Sequence, residues 1–351
     1  MSTVLELLNT ALRQAMTIDD RVVLLGEDIL DPYGGAFKVT RGLSNAFPER
    51  VYTTPVSEAG MVGVASGMAL RGLRPVVEIM FGDFLSLAAD QLVNHAAKFR
   101  WMYNDQLCVP LVIRTPMGGR RGYGPTHSQS LEKHFLGLPG LRVLAPTLFG
   151  DPGALLASAI LEDDDPVLFV EHKLLYPLTV HDETTLNEFS LSTTNDSAKN
   201  SPSAYTTLSP PLSLFPYPSY TLSLRDAPRP VLTMVAYGFM AELCHQAQLH
   251  LAYDHEVFTE LVIPTQLSPF CLDPVCTSAE QTKRALVIEE GTITLGWGAE
   301  VLARLSESIG QNLHAVRRLA ALDLPIPASI KLEEMILPGI DQIITMARSM
   351  V

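Results

Sequence analysis

Residues 74–114 read RPVVEIMFGDFLSLAADQLVNHAAKFRWMYNDQLCVPLVIR, and this stretch decides the fold class. Two compact apolar runs, Pro75–Met80 and Pro110–Arg114, have strand length and carry β-branched residues. Between them, 86–102 carries a helical pattern. Strands that are continuously apolar, with a helix between them, belong to a mostly parallel sheet covered on both faces. The same rhythm extends outward in both directions. Arg21–Leu25 and the helical stretch 58–71 come before; Leu141–Ala145, the helical stretch 150–162 and Pro166–Val170 come after. At the start, Thr3 and Glu6 form a T-x-x-E capping box, and Val4, Leu7, Leu8, Ala11, Leu12 and Ala15 share one helix face. Residues 1–177 therefore read as one doubly wound α/β domain.

Residues 178–229 break the rhythm. Ser, Thr and Pro supply nearly half of 181–230, including Ser209-Pro210-Pro211 and Pro216-Tyr217-Pro218. Such a segment has too little apolar surface to order itself as a core, so it reads as a linker with an extended insertion. Tyr205, Phe215, Tyr217 and Tyr220 are its candidate surface anchors. Strand-like runs then return at 230–236, 256–263, 284–289 and 313–319, with helical patterns at 239–252, 272–281, 298–309 and 339–350. Residues 230–351 read as a second, smaller doubly wound domain.

A length of 351 residues suits two α/β domains, and 47% hydrophobic residues leave much apolar surface to bury in cores or subunit interfaces. The formal net charge of −13 excludes a surface built to hold nucleic acid or anionic membrane. No apolar run reaches the ~18–20 residues a bilayer crossing needs. The first residues read as a helix rather than a secretory signal, because Glu6 interrupts their apolar stretch. Cys108, Cys244, Cys271 and Cys276 make no Cys-x-x-Cys pair, which suits reduced thiols in a cytoplasmic protein. A G-x-G-x-x-G turn and a phosphate-binding P-loop are both absent, so neither a nicotinamide nor a P-loop nucleotide site is expected.

The chemistry concentrates between 26 and 130. Gly26-Glu27-Asp28 ends the first strand, where ligand crevices open in parallel sheets. Glu58 begins a helix rich in Gly and Ala (Gly60, Gly63, Ala65, Gly67, Ala69), a composition that calls for something packed closely against it. Glu78-Ile79-Met80-Phe81-Gly82-Asp83-Phe84 runs from a strand into an aromatic turn. The glycines of 118–124 make a flexible loop that delivers Thr126-His127-Ser128-Gln129, and a His carried this way is a candidate for proton handling. Glu162-Asp163-Asp164-Asp165 suits either oxygen ligation of a hard cation or a solvated acidic turn.

Several strings taken in order resemble one family. They are TPVSEAG at 54–60, GMALRGLRPVVEI at 67–79, HSQS at 127–130, PGLRV at 139–143, Leu-Ser-Pro at 267–269, Gly-x-Gly-Ala-Glu at 296–300 and Asp-x-Pro-Ile-Pro at 323–327. Together they are similar to the β subunit of the decarboxylating component of 2-oxo acid dehydrogenases, of the pyruvate, branched-chain and acetoin type, within the transketolase-like superfamily. The resemblance implies a pyrimidine-binding domain followed by a transketolase C-terminal-like domain. It implies thiamine diphosphate as cofactor, with Glu58 on the aminopyrimidine ring as its proton-shuttling carboxyl, Phe84 packed on that ring and Glu27 in the same site. Desolvation is expected to bias Glu58 toward its protonated form. His127 matches the histidine at the substrate end, near the carboxylate or the incoming lipoyl group. A structural potassium ion is implied at Leu111, Ile160, Asp163 and Asp165.

The family's diphosphate-and-magnesium motif, Gly-Asp-Gly with a later Asn pair, is absent. An α subunit is therefore expected to hold Mg²⁺ and the diphosphate, giving an α₂β₂ heterotetramer with cofactor sites at α/β interfaces. The resemblance also implies docking to a dihydrolipoyl acyltransferase through the second domain. There, Glu289-Glu290-Gly291-Thr292-Ile293-Thr294 replaces a proline-containing stretch of the family. The expected activity is oxidative decarboxylation of a 2-oxo acid, pyruvate foremost, with acyl transfer to a lipoyl group. Competing readings are another split transketolase-like enzyme, whose polyol or phosphate substrates call for more cationic side chains than Arg120 and Arg121, and a non-catalytic scaffold or regulatory paralogue.

Overall fold

The computed structural model describes residues 2–194 and 217–351. The chain divides into two compact units, one of residues 1–117, 134–146 and 151–180 and the other of residues 118–133, 147–150 and 181–351. Among the described residues no helix is long and apolar enough to cross a membrane.

The first unit contributes six parallel strands, β1 (Val22–Gly26), β2 (Val51–Thr53), β3 (Arg74–Glu78), β4 (Val112–Met117), β5 (Arg142–Leu144) and β6 (Val167–His172), in the order β5-β6-β4-β3-β1-β2. Apart from β2 and the last residue of β3, every strand position is buried, as unbroken apolar runs between two helical layers require. Helix α1 (Val4–Ile18) starts on the expected box, with Thr3 accepting from Glu6 N and Glu6 accepting from Thr3 N. A short turn, α2 (Leu43–Ala46), and α3 (Glu58–Leu70) follow.

The stretch expected as one helix over 86–102 is broken into three pieces. A 3₁₀ segment (Gly82–Ala88), a π turn (Gln91–Ala96) and α4 (Phe99–Met102) succeed one another. The π turn lies against α3, where a Cβ on Gly63 would meet Gln91 Oε1 at 3.2 Å. The close packing expected of the small-residue helix is thus met at Gly63, whereas a Cβ on Gly67 would meet nothing within 4 Å. Helix α5 (Pro152–Leu161) is capped by Asp151, which accepts from Gly153 N and Ala154 N, and Gly153 lets it approach the backbone of Leu7.

In the second unit, β9 (Leu232–Ala236), β10 (Thr259–Pro264), β12 (Arg284–Thr292) and β13 (Ala315–Ala321) are parallel neighbours. Helices α6 (Gly238–His255), α7 (Asp273–Thr282), α8 (Trp297–Ile309), α9 (Ile330–Ile336) and α10 (Ile340–Arg348) and a short strand, β11 (Gln266–Ser268), complete it. Its core includes Leu232, Met234, Leu261, Leu286 and Ile343.

The segment 178–229 is more than a linker. Its described ends form β7 (Phe189–Thr194) and β8 (Ser219–Leu224), which pair antiparallel, and β8 pairs antiparallel with β10 to extend the sheet. FSLSTT and SYTLSL alternate apolar and hydroxyl residues, the period of a half-buried edge, and β7 is exposed at four of its six positions. Tyr217 is buried and Tyr220 partly so, whereas Tyr205, Phe215, Pro216 and Ser209-Pro210-Pro211 lie outside the described residues.

Candidate active site

Two carboxyls singled out by the sequence stand where strands of the first unit end. Glu27 follows β1 and Glu58 is the first residue of α3, and they are only 6% and 4% exposed. Burial pushes the Glu27 carboxyl above the ordinary range, the charge of Glu58 pushes it further, and an N–H from Ser57 pulls the other way. The two groups therefore feel one another. Glu27 Oε1 is enclosed with no hydrogen-bond partner. An orphaned buried acceptor costs on the order of 1–3 kcal/mol, a cost that a donor reaching Glu27 Oε1 would remove. A polar ligand bearing N–H groups, such as an aminopyrimidine, has the chemistry to supply that donor.

Phe84, half-buried, meets Phe81 edge to face at 6.1 Å and 78°, and Phe81 meets Phe37 at 5.6 Å. The Lys173 ammonium lies 5.2 Å from the Phe81 ring centre. Beneath these aromatics is an ionic network that the sequence reading passed over. Arg114, from the middle of β4, donates to Glu78 Oε2 at 2.9 Å and to both oxygens of Glu171 at 2.8 and 2.7 Å. Tyr176 donates to Glu171 Oε2 at 2.6 Å. Desolvation raises the Glu78 carboxyl even though Arg114 opposes it, and burial beside Glu171 holds the Tyr176 phenol well above its usual range. Gly35 closes over this group. Its φ is +80° and a Cβ there would come within 2.4 Å of Glu78 Oε1, so only glycine fits. A signal existed in the sequence: Glu78, Arg114 and Glu171 are charges inside otherwise apolar strands.

His127 belongs to the second unit and is half-buried. Its Nδ1 lies 3.0 Å from Thr126 Oγ1, and its backbone N–H donates to Gly124 O at 3.3 Å. The loop carrying it is fastened rather than free. Glu290 accepts from Gly119 N at 2.7 Å and Arg120 Nε at 3.1 Å, and Glu333 accepts from Arg120 N at 2.6 Å and Gly122 N at 3.1 Å. Arg120 also donates to Pro338 O. These partners lie so far along the chain that glycine content alone gave no sign of them. Nearby in the same unit, Glu289 accepts from Trp297 N and Gly298 N at the start of α8. Burial raises its carboxyl to about 7, with the Glu132 charge adding to burial and the two N–H groups opposing it.

The residues expected around potassium already have hydrogen-bond donors on their oxygens, and at Ile160, Asp163 and Asp165 those donors are guanidiniums. Ile160 O accepts from Arg74 Nε at 2.5 Å and Asp163 O from Arg74 Nη2 at 2.5 Å. Asp163 Oδ2 accepts from Arg142 Nε at 2.6 Å, Asp165 Oδ1 from Arg100 Nε at 2.6 Å, and Leu111 O from Val167 N at 2.8 Å. Three guanidiniums supply the positive charge here. A further cation would have to share or displace them, so these residues as arranged do not fit potassium.

Both units match family profiles. Residues 2–179 match the transketolase pyrimidine-binding domain and residues 223–343 the transketolase C-terminal domain, which defines a transketolase-like protein. A split-gene transketolase, solved as an inactive β₄ tetramer, superposes with a TM-score of 0.71 at 17% identity, covering 100% of this chain and 98% of that one, and so shares the fold. The β-2 subunit of the mitochondrial pyruvate dehydrogenase E1 component of Oryza sativa subsp. japonica is 35% identical, over 99% of this chain and 85% of its own. The 2-oxoisovalerate dehydrogenase β subunit of Pseudomonas aeruginosa is 35% identical, over 90% and 87%. The β subunit of an acetoin:2,6-dichlorophenolindophenol oxidoreductase of Cupriavidus necator is 33% identical, over 97% and 95%. The chain belongs to the β-subunit family of 2-oxo acid dehydrogenase E1 components.

Proposed function

We propose that this chain supplies the pyrimidine side of a thiamine diphosphate site in an α₂β₂ enzyme that decarboxylates a 2-oxo acid, with pyruvate the first candidate. The observation that carries this reading is the enclosed pair Glu27 and Glu58 at the carboxyl end of the first unit's sheet, with Glu27 Oε1 lacking a donor. When bound, thiamine diphosphate supplies a carbon nucleophile that attacks the keto carbon. Glu58 would hold the aminopyrimidine and pass a proton at its carboxyl. Glu27 keeps the surroundings acidic and accepts a donor, and the Phe84 ring offers a face for the pyrimidine. His127 would handle the substrate carboxylate or the lipoyl group.

The Gly-Asp-Gly and Asn pair that would hold Mg²⁺ and the diphosphate are absent from this chain, which supports a dedicated α partner. Exposed Val56 and Val64 beside the open face of α3 suit a surface that such a partner covers. Acyl transfer to a dihydrolipoyl acyltransferase is the expected next step. The test is a panel of 2-oxo acids assayed with the chain co-purified with its α partner. Decarboxylation that requires both thiamine diphosphate and Mg²⁺ supports the reading. Micromolar cofactor binding by this chain alone, without the partner, would overturn it.

A further inference from the structure

Three side chains of the second unit, outside the site described above, converge on one point. His181 precedes the turn that leads to β7, and Glu242 and His245 sit on successive turns of α6, so that their side chains share one face. Their ligand-type atoms all lie within 4.8 Å of one another. Glu242 Oε2 is 2.8 Å from His181 Nε2 and 3.6 Å from His245 Nδ1. The other oxygen of Glu242 accepts from Gln246 Nε2 at 2.7 Å, which turns a single oxygen toward both imidazoles.

The independent sign of a missing ligand is His245. It is 7% exposed; its Nδ1 is 3.6 Å from Glu242 Oε2, longer than a normal hydrogen bond, and its Nε2 has no hydrogen-bond partner. A buried imidazole with one long contact and one empty nitrogen is under-satisfied for a folded core unless something draws the ligand atoms together. Glu242 and His245 are both buried, and Phe149 and Phe189 stand against the His245 ring with centroid separations of 5.4 and 4.7 Å. Bulk water is therefore a poor candidate for the missing partner.

We propose that His181, Glu242 and His245 form a site for one divalent cation of the zinc class, with a water on the partly exposed His181 side as fourth ligand. Two imidazoles and one carboxylate oxygen are a donor set for Zn²⁺ rather than for Mg²⁺ or Ca²⁺, which take mostly oxygen. Metal–ligand bonds of ~2.0–2.1 Å in a tetrahedron put the ligand atoms about 3.3 Å apart, close to the 2.8 and 3.6 Å between Glu242 Oε2 and the two imidazoles, whose own nitrogens lie within 4.8 Å of each other. A second shell is in place. His181 Nδ1 lies 3.3 Å from Thr185 Oγ1, in a turn fixed by Asp182 Oδ1, which accepts from the backbone N–H groups of Thr184 and Thr185. The cation would tie the segment leading to β7 onto α6.

The test is calorimetric titration of Zn²⁺ into the full chain after dialysis against a chelator, with circular dichroism to check folding. One equivalent should bind, and the variant His181→Asn, at the most exposed of the three ligands, should bind about 100-fold more weakly or not at all while remaining folded. Glu242→Gln should do the same. Co²⁺ in place of Zn²⁺ should show the visible bands of a four-coordinate nitrogen–oxygen site. Absence of stoichiometric binding would overturn the proposal. So would unchanged affinity in a folded His181→Asn, or sulfur-to-cobalt charge-transfer bands that move the metal to Cys271 or Cys276.

Discussion

Replacing Arg114 by Met tests the buried network of the first unit most severely. The arginine side chain is 2% exposed, and its partners Glu78 and Glu171 are 11% and 2% exposed. Met fills much of the volume but leaves two interior carboxylates without a cation, a loss of about 3–5 kcal/mol by the usual cost of breaking a buried pair. The cost must depend on pH. Desolvation already raises the Glu78 carboxyl, and without Arg114 it rises further above its unfolded value near 4.5. Between the unfolded and folded values the native state binds more protons than the unfolded chain, so the variant loses stability as pH rises through that window. Urea unfolding followed by circular dichroism at about pH 8 and about pH 5 reads both effects. The deficit of Arg114→Met relative to the parent should be several kcal/mol at the higher pH and visibly smaller at the lower. A deficit under about 1 kcal/mol, or one equal at both pH values, would refute the claim that Arg114 neutralises two buried carboxylates.

Three further outcomes follow from other parts of the chain. Glu289, raised from 4.5 to about 7, favours its protonated form in the folded state, so its contribution is present below pH 4.5 and is lost as pH rises to 7. The change is on the order of 3 kcal/mol, and Glu289→Gln should flatten that part of the stability–pH curve. Gly35→Ala sets a Cβ against Glu78 at a positive φ, and thermal melts should show a loss of about 1–3 kcal/mol. Because Arg74, Arg100 and Arg142 already satisfy the Ile160, Asp163 and Asp165 oxygens, the melting temperature should be the same in KCl and NaCl at equal ionic strength. A specific rise in KCl would restore the potassium expectation.

Much of this was legible because it is local. The unbroken apolar runs of β1, β3, β4 and β6 and the Thr3–Glu6 box announce themselves within a few residues. The break of 86–102 into three pieces was not legible, and its π turn packs against Gly63 of a different helix, which no local pattern announces. Strands β7 and β8 were hidden by Ser and Thr, whose composition reads as linker even where their alternation reads as an edge. Of the candidate site, Glu27, Glu58 and Phe84 were singled out by position and motif. The Glu78–Arg114–Glu171–Tyr176 network and the anchoring of the His127 loop by Glu290 and Glu333 depend on pairings across the sheet or between distant segments. Apart from Glu171 and Tyr176, no short window of sequence contains those pairs, although a charge inside an apolar strand is a sign that a partner must exist.

The central claim is that Glu58 brings the proton-handling carboxyl to a cofactor site that a second subunit completes. Its most direct measurement is 2-oxo acid decarboxylation by the Glu58→Gln chain, co-purified with its α partner and supplied with thiamine diphosphate and Mg²⁺. The account predicts an assembly that elutes like the parent and a rate lowered by at least about 100-fold, the scale of a lost general acid–base group. An assembled Glu58→Gln enzyme with the parent's rate would contradict it.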